Sequence, residues 1–256
     1  MPNKRYILLI AILGVLVLFL WATDNINRDV EISSFTTSLQ ERTNTQIENL
    51  QMAAVKIDGI ILEPGEVFSF NEIVGPRLEL WGYRGAPTIY QGKVVNTPGG
   101  GLCQLSSTLY NLALLGGLEV IERYSHLWTI NSVGPGRDAA IYYSKTGNLD
   151  LKFVNTYNYP IKIQIDITEN RMYARLMAPK ANDHEISIDV VFLQIIPPPR
   201  YPQLPSSNKE EQDNYGKKGK DGYKVKVYRI FSQEGKVIKR EPISVDKYEP
   251  VPGTNL

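Results

Sequence analysis

Gly99-Gly100-Gly101-Leu102-Cys103-Gln104-Leu105-Ser106-Ser107-Thr108-Leu109-Tyr110-Asn111 decides how the rest of the chain is read. A glycine-rich loop turns into a helix there. Leu105, Leu109, Leu112 and Ala113 follow the i, i+4, i+7, i+8 rhythm of a helix with one buried face. Pro98 and the glycines cannot extend that helix backwards, so its first turn begins close to Cys103. A thiol at that position faces unpaired backbone N–H groups and the positive end of the helix dipole. Both favour the thiolate, the reactive form. Gly99, Gly100 and Gly101 would also let a substrate backbone come close, with Gln104 and Ser106 as further binding residues.

Cys103 is the only cysteine of 256 residues, so an internal disulfide is excluded. The thiol is then a packed small residue, an intermolecular partner or a nucleophile. Outward from it, Leu118 to His126 reads as a strand arriving at the first of only two histidines, and Asp138 follows in Gly136-Arg137-Asp138-Ala139. Cys103, His126 and Asp138 are the expected catalytic set. A thiol that ionises needs an imidazole to move its proton and a carboxylate to orient the ring. Backbone N–H groups around Leu102 to Gln104, or the Gln104 amide, are candidates for holding an oxyanion. Asp150 is a rival carboxylate whose place between apolar strand positions suggests a solvated face. His184 sits in a polar turn and reads as a surface residue. Cys103, His126, Asp138 and His184 lack the spacing of a metal site, and the sequence calls for no cofactor.

Lys4 and Arg5 precede an unbroken apolar run from Ile7 to Ala22, near the roughly 20 residues that span a bilayer. The ending Leu20-Trp21-Ala22-Thr23-Asp24 carries no A-x-A cleavage site. The expectation is an uncleaved signal anchor over 1–24: a single-pass protein of the cell membrane with its body outside the cytoplasm. A net charge of +1 implies no nucleic-acid partner, and 43% apolar residues suffice for an ordinary core.

The body is expected at 30–196. Glu31 to Thr45 supplies an edge strand. Thr45 to Lys56 has helical spacing, and two short strands flank Glu63-Pro64-Gly65-Glu66. Ala86 to Val95 is one β-like run. Leu149 to Asn155, Ile161 to Ile167 and Met172 to Met177 alternate as a meander, and Glu185 to Ile196 adds a strand. Pro197-Pro198-Pro199 opens a stiff, then charged linker to 222, before a small β hairpin module over 223–256. A helix-containing first half followed by a meander predicts an α+β fold, with the Cys-bearing helix packed on an antiparallel sheet. The order of cysteine, histidine and aspartate resembles that of transglutaminase-like and papain-like folds.

Pro64-Gly65-Glu66-Val67-Phe68-Ser69-Phe70-Asn71, Val74-Gly75, Gly82-Tyr83 and Ala86, the Gly99–Asn111 block, Glu122-Arg123, Gly136-Arg137-Asp138-Ala139 and Leu151-Lys152-Phe153-Val154-Asn155 together resemble the VanW family. The likeness covers roughly Phe35 to Met177 and departs from the family pattern just after His126, at Leu127-Trp128-Thr129-Ile130-Asn131. It implies a bacterial cell-envelope protein, in a family named for accompanying glycopeptide-antibiotic resistance genes. Two functions are compatible with these residues. One is a membrane-anchored thiol acyl-transferase or peptidase acting on peptidoglycan peptides. The other is a non-catalytic module that binds peptidoglycan or an envelope protein partner.

Overall fold

A computed structural model describes residues 29–90, 93–144, 147–199 and 219–252. The expected anchor at 1–24 and most of the linker lie outside the described residues. Among the described residues no helix is long and apolar enough to cross a membrane.

Helix α1 (Asn44–Ile57) begins at Thr43. The Thr43 hydroxyl accepts from the Gln46 N–H, and the Gln46 side chain accepts from the Thr43 N–H at 3.1 Å, a reciprocal cap. Leu50, Ala53, Ala54 and Ile57 bury one stripe of it. Ile57 therefore closes the helix, one residue beyond the expected Thr45 to Lys56 stretch. The Pro-Gly turn does lie between two short strands, β2 (Ile61–Leu62) and β3 (Val67–Ser69). They join different sheets, however. Ser69 ends β3 and caps the short helix α2 (Phe70–Val74) by accepting from the Glu72 N–H. The run from Ala86 divides into a hairpin of β4 (Gly85–Tyr90) and β5 (Lys93–Pro98). Helix α3 (Leu102–Leu115) carries Cys103 in its first turn and stops at Gly116-Gly117.

Strand β6 (Glu119–Glu122) follows, then β7 (Lys152–Val154), β8 (Ile161–Ile167) and β9 (Arg171–Ala178). Alternate residues of β8 and β9 are buried, as the pleat requires of a sheet with one face on the core. With β1 (Val30–Ser38) at one edge they form a sheet in the order β1-β9-β8-β2. A second sheet runs β3-β7-β6, and β4-β5 is a third. The fourth joins β10 (Glu185–Ile196) to β11 (Gly222–Gln233) and β12 (Lys236–Tyr248). The boundary expected at residue 197 therefore falls between two paired strands of one sheet.

This corrects the expected layout of a Cys-bearing helix laid on one antiparallel sheet. Strand accounts for 45% and helix for 18% of the described residues, in four antiparallel sheets. Helix α3 does not show one buried face: twelve of its residues, from Leu102 to Leu114, are buried. Elements from several sides surround it, including α1, β1, β6 and β9. Its polar residues mislead because their side chains bond back to the helix, which lets them enter the core. The Ser107 hydroxyl donates to the Cys103 carbonyl at 2.7 Å, Thr108 to Gln104 at 2.8 Å, and the Asn111 amide to Ser107 at 2.7 Å.

Gly101, the residue before α3, has φ +99°, a left-handed start that favours glycine. Gly100 is needed for a different reason. A Cβ there would stand 2.3 Å from the Ala86 carbonyl oxygen and 2.8 Å from the Thr88 hydroxyl, so the β4 backbone itself would have to move. Gly100→Ala is accordingly expected to cost about 1–3 kcal/mol of unfolding free energy in urea denaturation.

Candidate active site

Antiparallel pairing sets the site. A bridge joins Tyr124 to Ala140, with the Ala140 N–H donating to the Tyr124 carbonyl at 2.7 Å. Two residues further along each arm, His126 and Asp138 fall opposite one another on one face. The His126 ring then meets Asp138 through Nδ1 at 2.6 Å, and the His126 N–H donates to the same carboxylate oxygen at 2.7 Å. Helix α3 clips this arm to itself. Ser106 donates to the Ala139 carbonyl at 2.6 Å, Ser107 accepts from the Ala139 N–H at 3.0 Å, and Asn111 donates to the Arg137 carbonyl at 2.7 Å. The polar residues after Cys103 thus bring the carboxylate arm to the thiol's own helix.

Cys103, His126 and Asp138 come together. Nδ1 is taken by Asp138, which leaves Nε2 for the Cys103 sulfur. Burial works against the thiolate. The imidazole's hydrogen bond and charge outweigh it, assisted by a backbone hydrogen bond at Ile141 and the Arg77 guanidinium, and hold the thiol below its ordinary value. Burial likewise opposes the charged ring. Its bonds to Asp138 and to the sulfur prevail and raise His126 to about 10. Each group thus favours the charged form of the other, a thiolate beside an imidazolium. Both groups keep a way to solvent: Cys103 is half-buried and the His126 side chain is 21% exposed.

Asp138 is 1% exposed, and it accepts from more than the histidine. Arg123 Nη2 donates to Oδ1 at 3.0 Å and Arg123 Nε to the Asp138 carbonyl at 2.6 Å, while the Tyr248 hydroxyl donates to Oδ1. Arg123 also bonds Asp246 at 2.6 Å and lies over the Tyr110 ring. Burial raises the carboxyl's proton affinity, but His126, Arg123 and Tyr248 more than offset this and keep it below the usual carboxylate range.

The other expected site residues have structural partners. Gln104 is buried. Its amide donates to Thr37 and to the Ser38 carbonyl, and its carbonyl accepts from Arg42. The Gln104 and Leu102 N–H groups are bonded to Gly101 and Gly99. These N–H groups and the Gln104 side chain are thus already engaged within the protein. Ser106 is fully buried. Gly99, Gly100 and Gly101 approach Arg77, Ala86 and Gln46 respectively, so the glycine loop closes against its own chain instead of forming an open cradle. Asp150 is 4% exposed and not solvated: it accepts from Ser69, the Asn71 N–H and the Leu151 N–H. His184 is exposed.

Arg123, Tyr248, Asp246 and Arg77 complete the surroundings, and sequence reasoning had not singled them out. Tyr248 lies 110 residues from Asp138 and beyond the family-like stretch, so no local spacing signals it.

A buried carboxylate, an imidazole and a helix-start thiol thus meet on this mostly β scaffold. Over residues 45–177, more than half its length, the chain matches the family model described as VanW like protein. The chain belongs to the VanW family. It is 38% identical over 134 residues to the "Uncharacterized protein YoaR" of Bacillus subtilis (strain 168), covering 52% of this chain and 43% of that one. It is 29% identical over 140 residues to the "Vancomycin B-type resistance protein VanW" of Enterococcus faecalis (strain ATCC 700802 / V583), covering 53% and 50%. The chain therefore spans half or less of the length of these relatives. No solved structure matches it.

Proposed function

We propose that this VanW-family protein is a membrane-anchored, extracytoplasmic enzyme of the bacterial envelope, a thiol acyl-transferase or peptidase acting on peptidoglycan peptides. One observation carries the reading: the half-buried Cys103 sulfur meets an imidazole whose other nitrogen is held by a buried carboxylate. The thiolate attacks a peptide carbonyl carbon and the C–N bond breaks. The His126 imidazolium gives its proton to the departing amine, which leaves a thioester on Cys103. An acceptor amine, or water, then attacks the thioester, loses its proton to His126 and restores the thiolate. Asp138 stays ionised throughout and keeps the ring in the required tautomer. The positively charged end of Lys4 and Arg5 and the apolar run to Ala22 support the envelope location.

The test is incubation of purified muropeptides with the wild type and with Cys103→Ala. Products that appear only with the wild type are the expected result. Identical product patterns would end the enzymatic reading and favour a module that binds wall peptides without altering them.

A further inference from the structure

Arg77 is placed as a ligand-binding cation beside the thiol. Its Nη2 donates to the Asn71 side-chain Oδ1 at 2.7 Å. Asn71 is itself fixed, its amide donating to the Tyr142 and Leu149 carbonyls. The guanidinium lies over the Phe70 and Tyr143 rings, at 5.5 and 5.3 Å from their centroids. Its stem packs so closely on Gly99 that a Cβ there would stand 2.7 Å away. A side chain held on four sides has lost most of its rotamer freedom, and surface arginines are not built this way.

The charge nevertheless lacks a bonded anion. Among the described residues Arg77 forms no ion pair, and its Nη1 is buried without a hydrogen-bond partner. Asp150, the carboxylate whose field reaches it, is already engaged by Ser69 and two backbone N–H groups. Tyr83, 1% exposed and within electrostatic reach of Arg77, also has a hydroxyl without a partner. A desolvated guanidinium with a free donor is costly unless an anion meets it. The Cys103 sulfur lies 3.9 Å from the Ile141 carbonyl, and the next carbonyl, that of Tyr142, holds the Asn71 amide to which Arg77 is bonded, so an anion on Arg77 lies on the thiol's side of the site.

We propose that Arg77 seats the free carboxylate of the residue on the leaving side of the scissile bond, so that the acyl donor is a peptide ending one residue beyond that bond. This rests on the acyl-transfer reading given above. In the reaction the thiolate still attacks the penultimate carbonyl. The terminal amino acid departs as the amine that takes the His126 proton, its carboxylate held by Nη1 until release. Arg77 here sets specificity and touches none of the bonds that change.

Iodoacetate and iodoacetamide probe the seat without requiring turnover, because one carries the carboxylate and the other does not. In water a thiolate repels the anion, so iodoacetamide is ordinarily the faster reagent. With the purified full chain at pH 7, we expect Cys103 to prefer iodoacetate. In Arg77→Gln the iodoacetate-to-iodoacetamide rate ratio is expected to fall about tenfold, the worth of one hydrogen bond to a charged group. An unchanged ratio in a variant that still alkylates would overturn the seat and leave acyl transfer standing. An intact preference in a wild type that leaves muropeptides untouched would keep the seat and remove the acyl-transfer reading. Should Arg77→Gln fail to fold, the wild type alone still decides. N-acetylglycine should slow alkylation by iodoacetamide and N-acetylglycinamide should not. Equal effects of the two would count against the proposal.

Discussion

Asp138→Ala is expected to lower the unfolding free energy by about 3–5 kcal/mol, the usual cost of removing one partner from a buried charge cluster. The carboxylate accepts from Arg123, from the His126 ring and N–H, and from Tyr248. Alanine would leave Arg123, whose side chain is 7% exposed, with Asp246 as its one carboxylate, and would strand the tyrosine hydroxyl and the His126 backbone N–H. Asp138→Asn keeps the volume and loses the charge, so it should fall between wild type and alanine. Urea denaturation at pH 7 checks both. The carboxyl is held below its ordinary value when folded, so its contribution is full above about pH 4 and disappears as the pH falls further. The gap between wild type and Asp138→Ala should close under acid. A gap that persists at low pH would mean that packing, not charge, is what alanine removed.

The second large effect concerns the thiol. Without His126 the sulfur keeps the burial that opposes ionisation and loses the main group that favours it. In His126→Ala the thiol should return to at least its ordinary value near 8.5, so at pH 6.5 only about 1% is thiolate. The rate of alkylation by iodoacetamide at that pH is expected to fall about 100-fold. Wild type should show a flatter rate profile than the variant between pH 6.5 and 8.5, since the variant should gain about tenfold per pH unit as it approaches the ordinary thiol value. Equal profiles would show that Cys103 and His126 titrate independently.

The same pair shapes stability. His126, raised to about 10, stabilises the fold fully below about pH 6.5 and loses that contribution as the pH climbs to 10. Cys103, lowered, stabilises the fold above its ordinary value and loses that contribution as the pH falls. Between the two ordinary values, roughly 6.5 and 8.5, the lowered thiol and the raised imidazole give slopes of opposite sign, which offset one another and flatten the profile into a plateau. In Cys103→Ser the histidine acts alone and the plateau should tilt downward with pH.

Much of this arrangement follows periodicities visible in the chain. The alternation in Ile161 to Ile167 marks β8, and the step from glycines into Leu105, Leu109 and Leu112 marks α3 and places the sulfur in its first turn. The surroundings of the helix were misjudged because serine, threonine and asparagine signal solvent by composition, whereas here they bond backbone 3 to 33 residues away. Asp150 misled for the same reason: its partners on β3 and α2 lie some 80 residues earlier. Cys103, His126 and Asp138 were legible as residue types in order. Arg77, engaged through Asn71, two rings and Gly99, was not, since its position depends on packing that no spacing encodes.

Strand β12 has a bearing on how the protein comes into being. Tyr248 and Asp246 reach the acid and the arginine behind the imidazole from more than a hundred residues downstream, well outside the matched stretch 45–177. A ribosome makes the sulfur early and this brace late. A nascent chain would carry the thiol, the imidazole and the acid without these two partners until β12 zips onto β11.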